Sequence, residues 1–534
     1  MSLARNTFVQ APLTLASRLL GFARDLAANY RFGGQGPLMD AFATALMFPN
    51  LFRRLFAEGA FAQAFVPIYA KARAEGGDVD ADRIASEAMS FLMFVVAAFC
   101  VVAQIVMPFL MPFLLSAYTD DPGTLRIATL MTQLTMPYLA CMTLASLLSG
   151  VLNTLGRFAL SAGVPALLNI CTIAALVIAP DSEIAAVAVS ITVTVAGVLQ
   201  AGLLWWGAAR LKVNLRFHWP RITDAVRKVL WLAIPGALAG GATQINTLVS
   251  QILTGSDEGA RSVLYNSDRL YQLPLGLIGV AVGLALVPRL ARHYAAKETE
   301  AAKTSMDDAI GLSMAFTLPA AVAFLIAAFF IIDATVTRGA FTSDDATRTA
   351  NVLRQFAWGV PAFVLAKVFT PPFFARQDTK RPMQFAIASV IVNTLLGAGL
   401  FFGLPRIGID GVIGLAIATS LAGWLNVVLL SSTLAREGIY RLSGKAAGRI
   451  FRLLIACAIM SAYVTACAVN YRFLADLLGA KEIAVVVVAF SGFLLYCLAA
   501  LALRAVSLRE IRAALRREPG PPAGGGGLPT GSDG

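Results

Sequence analysis

The sequence predicts an all-α integral membrane protein: fourteen transmembrane helices arranged as two pseudo-symmetric parallel six-helix lobes, with two extra C-terminal helices. Three observations carry this expectation. Of 534 residues, 58% are hydrophobic and only 14% are charged, a balance foreign to soluble chains. Basic residues concentrate in alternate connections. The first half of the chain also resembles the second.

A helix crossing the hydrocarbon needs about 20 mostly apolar residues, and fourteen runs qualify. Span 1 (8–31) follows Arg5, and span 2 (38–57) leads to Lys71, Arg73 and Arg83. Span 3 (86–115) returns past Asp120 and Asp121 to span 4 (126–153), which ends on Arg157. Spans 5 (159–179) and 6 (184–208) flank Asp181 and lead to Arg210, Lys212, Arg216, Arg221, Arg227 and Lys228. Spans 7 (229–253) and 8 (262–287) flank Asp257 and Glu258 and are followed by Arg289, Arg292, Lys297 and Lys303. After spans 9 (309–332) and 10 (349–374) come Arg376, Lys380 and Arg381. After spans 11 (383–403) and 12 (410–434) come Arg436, Arg441, Lys445, Arg449 and Arg452. Spans 13 (450–470) and 14 (483–503) precede Arg504, Arg509, Arg512, Arg516 and Arg517.

The connections after even-numbered spans, with Arg5, hold 28 of the 43 Lys and Arg, whereas the opposite connections hold eight, among them Arg31, Arg261 and Arg348. The positive-inside rule then puts both termini in the cytoplasm. The net charge of +12 therefore reflects cytoplasmic loops, with no call for nucleic acid. Adding 224 to a position maps Pro137 onto Pro361, Arg157 onto Arg381 and Asn169 onto Asn393. Six spans per copy is an even number, so both copies enter the membrane in the same direction and the expected site lies between them. The predicted units are residues 1–212, 213–436, an added pair at 437–508, and a Gly/Pro-rich disordered cytoplasmic tail at 509–534.

Other chemistries find little support. Six cysteines lie in apolar runs without metal-ligand spacing, and the two histidines, His218 and His293, sit in charged connections. No metal site, cofactor or His-based acid/base centre is expected, and the connections are too short for a catalytic domain. The N-terminus has no apolar core ending in a small-residue cleavage site and reads as retained sequence.

The informative residues are charges inside spans: Arg18, Arg24, Arg53, Arg54, Arg269, Arg354 and Lys367. An Arg at the bilayer centre costs about 2.5–3.5 kcal/mol on insertion scales, so each needs a partner or a cavity. In "LASRLLGFARDLAANYRFGG" Arg18 and Asp25 project from one face, with Ser17, Gly21 and Arg24 nearby. The two arginines nonetheless differ by about 120° around a regular helix. Presenting both to one ligand requires a broad wet face or a helix loosened at Gly21. In span 2, Asp40 lies near the outer end and Pro49, beside Asn50, can bend the helix next to Arg53. Arg54 and Glu58 have the i, i+4 spacing of a structural ion pair. Span 8 carries Asp268 and Arg269. Lys367 either snorkels to the surface or faces the cavity. With Asp40 and Asp268 as the expected neutralisers, Arg18, Arg24, Arg53 and Arg269 leave a positive surplus that calls for an anion, and guanidinium forks suit phosphate.

The stretches "SRLLGFARD", "FPNLFRRLFAEGAFAQAFVP", "SDRLYQLPLG" with "GVAVGLALVPRLAR", and "FTPPFFARQDTKRP" resemble the MurJ (MviN) lipid II flippases of the MOP transporter superfamily. The resemblance implies a bacterial inner-membrane protein that moves undecaprenyl-pyrophosphate-linked peptidoglycan precursor to the periplasmic leaflet by alternating access. It implies cavity roles for Arg18, Arg24, Asp40, Arg53 and Arg269, with Ser17, Gly21, Asp25, Pro49, Asn50, Glu58, Asp268 and Lys367 in support. It also gives spans 13 and 14 the polyprenyl tail, and cell-wall synthesis proteins stand as candidate partners beside membrane lipids. Spans 7 and 11 offer Asn246 and Asn393 but no interior carboxylate. A sodium site would lack its usual anionic ligand, and the membrane potential acting on anionic cargo is the expected driver. A flippase for another lipid-linked oligosaccharide and a MOP-type multidrug antiporter are the alternatives; the antiporter would need acids and aromatics where this chain has arginines.

Overall fold

A computed structural model describes residues 3–52, 60–296 and 298–506, and it is helical throughout, with no strand among the described residues. The first half contains α1 (Leu3–Phe32), α2 (Pro37–Phe52), α3 (Ala60–Leu114), α4 (Pro122–Thr135), α5 (Tyr138–Thr154), α6 (Phe158–Gly163), α7 (Pro165–Ile178) and α8 (Ser182–Arg210). The second contains α9 (Asp224–Thr254), α10 (Ala260–Ala295), α11 (Thr299–Val336), α12 (Ser343–Ala357), α13 (Val360–Phe369), α14 (Pro371–Ala375), α15 (Lys380–Gly403) and α16 (Gly411–Arg436). The chain ends with α17 (Gly444–Val469), α18 (Tyr471–Leu478) and α19 (Lys481–Ala502).

Breaks follow the sequence's punctuation. Gly77 takes φ +75° and splits α3 into two arms, a conformation open to glycine at little cost. Asp121 caps α4 by accepting from the Thr124 hydroxyl and from the Gly123 and Thr124 N–H groups, which hold its carboxyl below the usual range. Pro137 sits between α4 and α5, and Pro361 begins α13 just after the break from α12. The two prolines matched at offset 224 thus stand at equivalent interruptions. Asn169 and Asn393 are likewise both buried, one bonded to α1 and the other to α9.

Ten helical stretches are long and apolar enough to cross a membrane among the described residues: Ala64–Leu114, Pro122–Thr154, Phe158–Ile178, Ser182–Arg210, Thr299–Val336, Ser343–Ala375, Lys380–Ile407, Gly411–Arg436, Gly444–Val469 and Lys481–Ala502. The other four expected spans fall on α1, α2, α9 and α10. Of these, α1 and α10 carry the interior charges, and α2 is described over only 16 residues.

In the first half α5 packs on α8 and α7 on α8, while in the second α15 packs on α16 and α13 on α16. Small residues set these distances. A Cβ on Gly197 of α8 would lie 2.6 Å from the Tyr138 ring and 2.9 Å from the Cys141 Cβ of α5. Helices α17 and α19 pack on α11 around Met314, Met460 and Tyr496. Gly197→Leu is expected to force α5 and α8 apart at a cost of about 1–3 kcal/mol. Its check is a lower unfolding temperature of the detergent-purified protein by size-exclusion thermal stability.

Candidate functional site

Helices α1 and α10 face one another in antiparallel register, and their polar residues meet in reverse order along the seam. Nearest one end, Asn29 and Asn266 exchange side-chain hydrogen bonds at 2.8 and 2.9 Å. One turn deeper, Asp25 accepts from Arg24 Nη2 at 2.7 Å and Nε at 3.1 Å, and its other oxygen lies 3.3 Å from Arg269 Nε. The Tyr265 hydroxyl donates to Asp25 at 3.0 Å and accepts from Arg269 at 3.1 Å and Arg24 at 3.4 Å. Arg269 also stacks over the Tyr265 ring. Arg24, Asp25 and Asn29 are all buried. A single carboxylate thus holds two guanidiniums.

Deeper still, the Arg18 guanidinium presses on Gly276, where a Cβ would collide with it. Lys367 of α13 is near enough to repel Arg18. Among the described residues neither cation has a hydrogen bond or ion pair, and Arg18 is exposed. From Asn29 to Arg18 is 11 residues, or about 16 Å of helix rise. Along that distance the seam passes from neutral amides, through a half-neutralised pair, to two uncompensated charges.

The end nearest Asn29 is sealed. Asp40, on α2, accepts from Gly259 N–H at 2.9 Å, Ser262 N–H at 2.9 Å, the Ser262 hydroxyl, and the Tyr118 hydroxyl at 2.9 Å. Beside it the wholly buried Arg261 donates to the Thr44 hydroxyl and to the Leu114 and Gln251 carbonyls. Arg348 extends the seal, reaching Asp257 at 2.6 Å, Asp410 at 2.5 Å and Gln35 at 3.0 Å. In the connection before α10, burial pushes the Asp257 carboxyl up while Arg348 pulls it down.

Several expectations change against this geometry. Helix α1 runs unbroken through Gly21, so Arg24 reaches Asp25 and Tyr265 while Arg18 points elsewhere, toward Gly276, with no loosening between them. Asp25, placed in a supporting role, is the neutraliser of Arg24 and Arg269. Asp40 is consumed by the seal, whereas Asp268 accepts from Gln272 one turn along its own helix and, as expected, also attracts its neighbour Arg269. Arg261 is a buried structural cation, and Arg31 caps the C-terminus of α7 through the Leu176, Val177 and Ala179 carbonyls. The Ser17 carbonyl accepts from Asn169, which also accepts from Arg24 at 3.3 Å. Pro49 stays inside α2 with Asn50. Arg53, Arg54 and Glu58 lie outside the described residues. Asn393 donates its amide to the Asn246 side-chain oxygen at 2.8 Å. Tyr265 and Asn29 went unnoticed in the sequence, although Tyr265 sits i, i+4 from Arg269 and Asn29 i, i+4 from Asp25, the spacing that brings helical side chains together.

Comparison with known proteins bears on this site. The family profile described as lipid II flippase MurJ matches residues 29–478. A probable lipid II flippase MurJ of Rhizobium tropici is 38% identical over 469 residues, covering 87% of each chain. The lipid II flippase MurJ of Burkholderia cenocepacia is 31% identical over 88% of this chain and 91% of its own. Among solved structures, a lipid II flippase MurJ in an inward closed conformation superposes with TM-score 0.73 at 23% identity, covering 95% of this chain and 100% of that one. An inward-facing multidrug MATE transporter of the MOP superfamily gives TM-score 0.64 at 14% identity, covering 80% and 98%.

Asp40→Asn replaces a four-bond anion with an amide whose NH2 opposes one of the N–H donors. The lost charge-assisted bond is worth about 2 kcal/mol. Amide hydrogen exchange across 259–262 is expected to quicken about thirtyfold, with residues 413–430 unchanged as the internal control.

Proposed function

The chain belongs to the lipid II flippase MurJ family, and from that premise we propose that it carries lipid II from the cytoplasmic to the periplasmic leaflet of the bacterial inner membrane. In this reading residues 1–212 and 213–436 are two parallel six-helix lobes that rock about the α1–α10 seam, fourteen helices span the bilayer, and both termini are cytoplasmic. The protein is a multi-pass transporter and no enzyme. The observation that carries the reading is the uncompensated pair Arg18 and Lys367, set beside Arg24 and Arg269, which share one carboxylate. Arg53, which the family resemblance gives to the same cavity, completes the set on sequence grounds.

The mechanism follows from competition. A diphosphate head offers several oxygens in fork geometry, a better match to guanidinium than a lone carboxylate. It docks first on Arg18 and Lys367, where no protein anion must be displaced. It then draws Arg24 and Arg269 from Asp25 and Tyr265, which unties the deeper half of the seam. The Asn29–Asn266 amides, the Asp40 seal and the Gly34 N–H bond to Asp345 still tie the lobes at the sealed end, but with the Asp25 bonds gone cargo binding lowers the cost of opening it. A ligand shifts such an equilibrium only by its differential affinity for the two states, and the displaced Asp25 bonds supply that difference.

The tail reading has support of its own. Between α11, α17 and α19 lies an apolar cavity of about 230 Å³, lined by Phe316, Pro319, Ala323, Phe330, Met460 and Phe493. It supports the assignment of 437–508 to the polyprenyl chain, which stays in the hydrocarbon while the head crosses. The MATE-like fold alone is neutral between cargoes, but a cavity with surplus cations repels the organic cations of a multidrug exporter.

Lipid II binding to the detergent-purified protein tests the reading. Arg18→Ala and Lys367→Ala each remove a charge-assisted contact of about 1.5–3 kcal/mol and are expected to weaken binding about tenfold to a hundredfold. Complementation of a flippase-depleted strain should fail in the double variant. Undiminished binding and growth in that variant would remove both residues from the site.

A further inference from the structure

Residues 211–223 join α8 to α9 without helix or strand, yet they are firmly held. The backbone N–H groups of Asn214, Arg216 and His218 donate to Asp82 Oδ2 at 2.6 Å, Ser86 Oγ at 3.0 Å and Ser90 Oγ at 2.9 Å. Two periods coincide here. Acceptors four apart on α3 are about 6 Å apart, and donors two apart on an extended chain are about 6.6 Å apart. Past the ladder, the Thr223 hydroxyl donates to Glu87 at 2.7 Å and caps α9. Leu215 is buried, and Phe217 stacks flat on Trp205 with centroids 5.9 Å apart.

With one edge bound to α3, the strap turns a distinctive surface outward. Between residues 210 and 228 it carries the cations Arg210, Lys212, Arg216, Arg221, Arg227 and Lys228 against the single acid Asp224. Trp219 is 80% exposed, Trp231 70% and Ile222 61%. Arg210 lies over the Trp206 ring, 4.2 Å from its centre. Exposed indoles among fixed cations match the headgroup layer of a bilayer, where the ring meets the acyl boundary and the cation meets phosphate. A surface facing only water would not keep such rings bare.

We propose that the strap and the first turns of α9 form a docking surface for the anionic phospholipids of the leaflet they face. This rests on the membrane-spanning reading above and concerns bulk phospholipid, not the transported lipid. Because the strap is bonded to α3 and caps α9, lipid docking fixes the cytoplasmic ends of both helices together.

The test uses the full chain in nanodiscs of zwitterionic lipid alone and of the same lipid mixed with phosphatidylglycerol, with amide hydrogen exchange followed over 217–222. Exchange is expected to slow about twenty-five-fold with phosphatidylglycerol, given roughly fivefold for each of Arg216 and Arg221 near an anionic surface. High salt should abolish the slowing, as should Arg216→Ser with Arg221→Ser. Equal exchange in the two discs, or undiminished slowing in the double variant, overturns the proposal. So does slowing that occurs in native membranes but not in anionic discs, which would indicate a protein partner. Lipid II binding by the double variant separates this outcome from failure of the transport site, since Arg18 and Lys367 remain intact.

Discussion

The carboxylate of Asp25 has too many partners to satisfy fully. It holds Arg24 through two nitrogens, accepts a hydrogen bond from the Tyr265 hydroxyl and faces the partly buried Arg269, in a setting where separating charge from water is expensive. Among the described residues Asp25 is the one carboxylate that contacts both cations, with Asp268 adding a weaker attraction on Arg269. Arg18 and Lys367 lie beyond both acids, so the group keeps α1 and α10 in register while the seam as a whole retains net attraction for a further anion. Every other feature of the seam depends on that imbalance. Were the site balanced, cargo would have to break a complete ion pair to enter; were it empty of acids, the two arginines would repel one another and the closed state would not persist.

Position along the seam turns this imbalance into a sequence of events. The cations without partners lie deepest, the shared carboxylate next, and the neutral amide pair and the Asp40 seal last. The seal is built differently from the seam. Asp40 accepts hydrogen bonds from helix-start N–H groups and hydroxyls, while Arg261 donates to two carbonyls and the Thr44 hydroxyl. Apart from the Arg261 Nε, which finds no partner among the described residues, these groups bond to one another and to nearby backbone within the closed end. The seal therefore resists opening without selecting a cargo, and selection falls to the groups below it.

Much of this architecture was readable from composition and period. The helical class, the interior arginines and the breaks at Pro137 and Pro361 follow from hydropathy, charge cost and the missing proline N–H. Pairing was less accessible. Asp40 looked like a neutraliser of the cavity arginines because it is an acid in a neighbouring span, but which acid meets which arginine is set by helix rotation and depth; Asp268 does attract Arg269, though more weakly than Asp25 does. Asp25 adjoins Arg24 in the chain, and adjacent helical residues ordinarily point apart; their contact requires the long guanidinium to fold back. Arg261 looked like a loop cation because it stands at the edge of an apolar run, whereas the helix start it occupies is wholly buried.

The account turns on whether cargo, by drawing the arginines from Asp25, releases the sealed end. Spin labels at Asp120→Cys and Ser256→Cys, exposed positions flanking the seal, in a background lacking the six native cysteines, report that distance directly in nanodiscs. Adding lipid II should populate a longer distance, and Arg18→Ala with Lys367→Ala should prevent the change. A distance that stays the same while lipid II is demonstrably bound would contradict the coupling between seam and seal.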